Sequence, residues 1–244
     1  MTKANSVVKT QITASEDGTH TYEVQKIFEG MEGKTAIVIE LYPTLKYSDI
    51  NRLDLSTMHL LNHAGETGWN RVRIVNLFST VFERKPLARQ LQFDTENLEY
   101  FEKMLGAEDC KDCDIVVAWG TTLDNHKAAR EMKSAFLRLL EQKGLAEQVK
   151  QFAVKTLETN EQISPHPLFL GLRHAREVWS VEKFPLRKVL QELEPKVPQK
   201  TGKKEGQKAE EKTSEEAGKD THSTTPDTQK QKKETGKKSL EKKA

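Results

Sequence analysis

Apolar residues along the first 195 positions alternate between two periods, short β-branched runs and longer stretches repeating every three or four residues. Thr35 to Leu41, Val72 to Val75 and Ile115 to Ala118 are mainly apolar runs, broken only by Glu40 and Arg73, of the kind that fill strands buried on both faces. Val149 to Leu157 predicts a fourth, weaker strand. Ser48-Asp49 predicts the cap of a helix reaching Ala64, with Leu53, Thr57, Leu60, Leu61 and Ala64 on one face, ended by Gly65 and Gly68. Asp94 or Thr95 caps a second helix carrying Leu98, Phe101, Met104 and Leu105, stopped at Gly106. Lys127 to Lys143 predicts a third, ended by Gly144, and Pro185 opens a last one through Leu193. Residues 6–28 predict an N-terminal β-hairpin turning at Asp17-Gly18, at the edge of the sheet. The alternation predicts an α/β fold: a largely parallel central sheet with helices on both faces.

Composition changes that picture only at the carboxyl end. Residues 196–244 hold 14 Lys against 9 Asp+Glu, with Val197 and Leu240 the only sizeable aliphatics. Such a segment buries too little apolar surface to offset its ordering entropy, so a disordered C-terminal tail is expected. Residues 1–195 remain as a single α/β domain. The overall charge of +2 hides an asymmetry, because residues 1–195 carry 25 Lys+Arg against 28 Asp+Glu, a net −3. A broadly basic nucleic-acid binder is thereby excluded, and any basic groove must be local. The two cysteines cannot build a disulfide framework. No apolar run approaches the ~18 residues of a membrane span, and Met1 to Asn5 lacks a signal peptide's apolar stretch. A cytoplasmic protein with no membrane partner is expected.

Polar and turn-forming residues close the apolar runs: Tyr42-Pro43, Asn76-Leu77 and Trp119-Gly120, followed by His166-Pro167 and Arg173-His174. In open α/β sheets the carboxyl ends of the strands form the ligand crevice. Pro165 and Pro167 fix φ on either side of His166, which makes its imidazole either a preorganised donor or a turn residue bonded to a nearby carbonyl. Asn76 interrupts Ile74-Val75-Asn76-Leu77-Phe78. Its amide must find partners or cost about 1–3 kcal/mol, and it serves either a strand-end backbone group or a ligand such as a base edge. Trp119 reads first as an aromatic plug over the core and Gly120 as a tight turn. His59 and His63 have a zinc-compatible spacing without a third ligand, so no metal is expected. Cys110 and Cys113 have redox spacing among acidic neighbours that disfavour a thiolate, and read as a surface loop. The tail's lysines could contact phosphates or an acidic partner, but interspersed glutamates favour a solubilising tail.

The runs Arg73-Ile74-Val75-Asn76-Leu77-Phe78-Ser79, Val116-Val117-Ala118-Trp119-Gly120 and His166-Pro167-Leu168-Phe169-Leu170 resemble the bacterial and phage family called domain of unknown function 1643, over residues 20–175. More distantly, the motif order is similar to the uracil-DNA glycosylase superfamily: a turn ending in Pro, a strand ending in Asn, a strand ending Trp-Gly, a His-Pro loop, and a Gly…Arg-His segment matched by Gly171-Leu172-Arg173-His174. That resemblance implies a uracil-DNA-glycosylase-like fold with a pocket for a flipped nucleobase. It implies that His166 donates a hydrogen bond to the departing base, Asn76 reads its pairing edge and Phe78 stacks on it. Pro43, Thr44, Trp119, Gly120 and Pro167 would complete the substrate pocket, and Gly171, Arg173 and His174 would approach the nucleic-acid backbone. No cofactor and no metal is implied. The chain departs from the superfamily at Tyr42, where an Asp or Asn usually positions the attacking water. A phenol, with a pKa near ~10, is a poor base at neutral pH. Glu40 or Asp49 would have to substitute. The expected function is binding of a nucleobase, in nucleic acid (DNA foremost) or a nucleotide, with hydrolysis of an N-glycosidic bond as the reaction if the protein is an enzyme. The alternatives are a non-catalytic nucleotide-, DNA- or protein-binding module and, last, an acidic mimic of DNA.

Overall fold

A computed structural model describes residues 1–157 and 163–194; the expected tail at 196–244 lies outside the described residues. Seven strands form one sheet: β1 (Val8–Ala14), β2 (Thr21–Phe28), β3 (Lys34–Glu40), β4 (Trp69–Asn76), β5 (Asp114–Val117), β6 (Val149–Ala153) and β7 (Ser180–Lys183). Their spatial order is β1-β2-β4-β3-β5-β6-β7. The inner four, β4-β3-β5-β6, are parallel, and β3 and β5 carry the apolar runs typical of strands covered on both faces. The sheet as a whole is mixed, which corrects the largely parallel expectation. The hairpin strand β2 adds antiparallel to β4, Glu23 opposite Val75, and β7 adds antiparallel to β6 at the far edge.

Side-chain alternation sends successive residues of each central strand to opposite faces. Ile37, Ile39, Val75, Leu77 and Val117 pack with α2 (Thr95–Leu105), α3 (Lys127–Gln142) and α5 (Leu186–Leu193). Ala36, Val38, Val72, Ile74 and Val116 pack with Leu60 and Ala64 of α1 (Leu55–Thr67), Leu170 of α4 (Pro167–Arg173) and Trp179. Each fully buried aliphatic side chain contributes roughly 1.5–3 kcal/mol of transfer free energy. The two faces therefore hold the sheet between helices, as the alternation of elements implies.

Helix α1 starts six residues later than Ser48-Asp49 suggested. Asp49 caps only a single 3-10 turn at Tyr47–Asp49, accepting from the Lys46 amide. The α-helical cap is Asp54, whose Oδ1 accepts from the Thr57 amide at 2.7 Å. Gly65 lies inside the helix, and Gly68 ends it in the left-handed region, φ 73°. Cys110 and Cys113 are buried rather than on a surface loop, with the Arg73 guanidinium donating to Cys110 Sγ at 3.1 Å. No helix among the described residues is long and apolar enough to cross a membrane.

Helices α1 and α4 meet at Gly171. A Cβ there would lie 2.1 Å from the His59 ring, so only glycine permits this approach. Gly171→Ala is expected to lose about 1–3 kcal/mol of stability in urea unfolding through overpacking. Combining it with His59→Ala should recover most of that loss; simple additivity of the two losses would show that the helices do not meet here.

Candidate functional site

A cavity of about 480 Å³ opens on the α1–α4 face at the carboxyl ends of β3 and β4. Its floor is Val24, Ile74, Asn76 and Glu40. Parallel pairing puts Glu40 opposite Asn76, so both side chains continue the face begun by Val38 and Ile74. The helical side is built from Asp54, Ser56 and Thr57 at the start of α1, and from Leu168, Phe169, Leu172 and Arg173 on α4. Tyr42, Pro43 and Thr44 form the turn leaving β3, and His166 and Trp119 close the side next to β5. Strands β3 and β5 are the point where parallel crossovers diverge to opposite directions, the place where open α/β sheets bind ligands.

His166 caps α4, and its Nδ1 accepts the Leu168 amide hydrogen at 3.2 Å. A neutral imidazole that accepts at Nδ1 carries its proton at Nε2. That Nε2 lies 3.9 Å from Glu40 Oε2, beyond hydrogen-bond reach. Burial lowers the imidazole pKa to about 4, against the opposing pull of Asp54, so near neutral pH the ring is an uncharged donor. The ring is held from behind. Gly120, at φ 64°, comes so near that a Cβ would sit 3.2 Å from His166 Cβ, and its amide donates to the Ser164 carbonyl at 2.8 Å. Ser164 itself sits at φ 55°, a strained conformation for a residue with a side chain, fixed by its amide bonding Gln151 Oε1.

Glu40 is buried, and its Oε1 has no hydrogen-bond partner among the described residues. Burial first, and the nearby Asp54 charge second, push its carboxyl well above the ordinary range. Asn76 Oδ1 is likewise buried without a partner. Tyr42 packs edge-on against Phe82, 5.8 Å between centroids, and burial raises its phenol pKa still further from a base's range.

Eight of the residues singled out from the sequence border this one cavity: Glu40, Tyr42, Pro43, Thr44, Asn76, Trp119, His166 and Arg173. Five do not. Phe78 is buried in the opposite core layer, so it is not placed to stack on a ligand; Phe169 supplies the aromatic wall on the α4 side. Gly120 and Pro167 lie behind His166 and at the first turn of α4, and position the imidazole. Gly171 is buried against His59 rather than open to a nucleic-acid backbone. His174 is engaged by Glu177 at 2.8 Å and Thr156 at 3.2 Å. Trp119 borders the cavity but packs mainly on Phe136 and Phe184, as a plug would. Asp49 lies in a neighbouring surface depression instead. Sequence reasoning missed Asp54, which joins Thr44 Oγ1 to the α1 amides. Its signal was present: an Asp three residues before Thr57, where the Thr57, Leu60, Ala64 periodicity begins. His63 stacks on Trp179 and bonds Glu66, and no set of three or more His, Cys, Asp or Glu suited to a metal occurs among the described residues.

The sequence pattern of the family described as protein of unknown function (DUF1643) matches residues 22–168, more than half of the chain. The chain belongs to the DUF1643 family. No curated protein and no solved structure matches it. The DUF1643 span takes in Glu40, Tyr42, Asp54, Asn76, Trp119 and His166, and leaves Arg173 just beyond its end.

The buried Glu40 carboxyl of this DUF1643 chain makes stability depend on pH with a definite sign. Its folded pKa exceeds the unfolded value, so its contribution is most favourable below about 4.5 and is lost as pH rises through the folded value. Glu40→Gln removes that loss. In urea unfolding the variant should gain on the parent as pH rises from 4 to 8, and a difference independent of pH would show that the carboxyl is not held in its neutral form.

Proposed function

We propose that the cavity binds a nucleobase, presented by a nucleotide or by a nucleic-acid strand, and holds it by its hydrogen-bonding edge. One observation carries this reading: Glu40, Asn76 and His166, from three separate parts of the chain, border one crevice, where Glu40 Oε1 and Asn76 Oδ1 are buried without a hydrogen-bond partner among the described residues and His166 Nε2 lies 3.9 Å from Glu40 Oε2. Unpaired buried polar atoms each cost about 1–3 kcal/mol, a cost that a ligand edge of matching polarity removes. The apolar walls, Leu168, Phe169 and Tyr42, suit the faces of a flat ring. Arg173, exposed at the mouth and in no ion pair among the described residues, suits a phosphate. The similarity of the motif order to uracil-DNA glycosylases supports the same assignment, including a fold of that kind.

Hydrolysis of the N-glycosidic bond is the second reading, favoured by the state of His166. A neutral imidazole whose proton faces the cavity stabilises negative charge growing on a departing base without first having to lose a proton. Tyr42 does not supply the water-positioning carboxylate; Glu40 and Asp54 are the carboxylates bordering the cavity.

Equilibrium binding of nucleosides, nucleoside monophosphates and single-stranded oligonucleotides tests the first reading, with chromatography of released base testing the second. At least one class should bind, roughly tenfold or more weakly in Asn76→Leu, which removes a buried unpaired oxygen and keeps the fold. Any base release should fall about 100-fold or more in His166→Gln. Absence of binding by all three classes would contradict the assignment.

A further inference from the structure

We propose that Lys133 is a positioning residue for His166, its ammonium clasping the turn after β5 so that Gly120 is held against the imidazole. What the imidazole does to a ligand rests on the nucleobase reading; the clasp itself does not. Helix α3 buries Ala129, Met132, Phe136, Leu137 and Leu140, and Lys133 lies among them on the same face, only 2% exposed. A cation is costly there, and burial lowers its pKa against the pull of Asp124. An aliphatic side chain would fill the position without that cost. Packing therefore does not account for a lysine.

The ammonium serves one turn, residues 120–124. Its Nζ donates to Asp124 Oδ1 at 2.6 Å and, at the long end of hydrogen-bond range, to the Gly120 carbonyl at 3.5 Å. It also lies 5.3 Å from the centroid of the Trp119 ring. Between the two oxygens Leu123 holds φ 68°, an uncommon conformation for a residue with a side chain. The strain continues across Gly120, whose amide donates to the carbonyl of Ser164, itself at φ 55°. Gly120 is also the residue whose Cβ would lie 3.2 Å from His166 Cβ. A second cavity, of about 280 Å³ and bordered by Lys133, lies against Trp119, Gly120 and Ser164. Packed atoms thus back this wall incompletely, and the ammonium bridges the gap.

Without the clasp the wall relaxes toward that void and water reaches the imidazole, so the His166 titration moves up toward the ordinary ~6.5. Charge acting through space does something different. Losing the Lys133 cation raises the midpoint, but losing the Asp124 anion lowers it. Two variants of the full chain separate these effects: Lys133→Met, which keeps most of the aliphatic stem, and Asp124→Ala, whose side chain is half exposed and expendable to the fold. Nitrogen-15 NMR should show the His166 midpoint rising from about 4 by about one pH unit in both. The sign in Asp124→Ala decides: a rise supports the clasp, and a fall or no change overturns it. A merely structural lysine would lower the urea midpoint of Lys133→Met and leave the titration in place. Whichever nucleoside, monophosphate or oligonucleotide the parent binds should bind both variants roughly tenfold more weakly, and undiminished affinity would overturn the positioning role. A parent that binds none of them overturns the nucleobase reading, while the titration still decides the clasp.

Discussion

In the parallel pairing of β3 with β4, Glu40 stands opposite Asn76 at the last registered position, after Ala36, Val38, Val72 and Ile74 have filled the same face with aliphatic side chains. Alternation along a strand leaves these two no other direction to point. A carboxyl and an amide are therefore carried into a crevice of low polarity, where charge is disfavoured and an unpaired oxygen is expensive. The surrounding helices do not satisfy them. They close around the space in front of them instead.

That closure depends on small residues and one cap. Gly171 lets α4 approach α1 at His59, and Gly120 lets the loop after β5 approach His166. Asp54 fixes the start of α1 and, through Thr44, the turn that leaves β3. Its charge also acts on two other titratable groups of the cavity, opposing ionisation of Glu40 and favouring protonation of His166. Local strain at Ser164 and orphan oxygens at Glu40 and Asn76 gather at one place. Sequences that specify a fold agree across levels nearly everywhere, and departures from agreement concentrate where function requires them.

Much of this was legible from residue order alone. The runs ending at Leu41, Val75 and Ala118 marked three inner strands, observed to end at Glu40, Asn76 and Val117, because a strand buried on both faces is mainly apolar. The residues terminating those runs marked the crevice, and eight of the thirteen singled out border it. The edge hairpin of β1 and β2 was legible from its Asp17-Gly18 turn, but its docking on β4 was not, since that pairing joins positions some fifty residues apart, such as Glu23 and Val75, and nothing local encodes it. Strand β7 has one aliphatic residue, Val181, and α4 has only seven residues, too few for a period to emerge. Phe78 shows the limit of motif transfer. Strand β4 ends at Asn76, and Phe78, beyond that end, packs in the layer opposite the cavity. Asp54 was missed because Ser48-Asp49 offers an equally good local cap, and only the packing of Thr57 and Leu60 decides between them.

The central claim is that the crevice holds His166 neutral, with its proton on the nitrogen nearest Glu40. Nitrogen-15 NMR of the histidine rings, assigned through His166→Gln and followed with pH, measures both properties at once. The account predicts a His166 midpoint of about 4 and an Nε2-protonated tautomer at neutral pH. A midpoint near the ordinary ~6.5, or a proton on Nδ1, would contradict it.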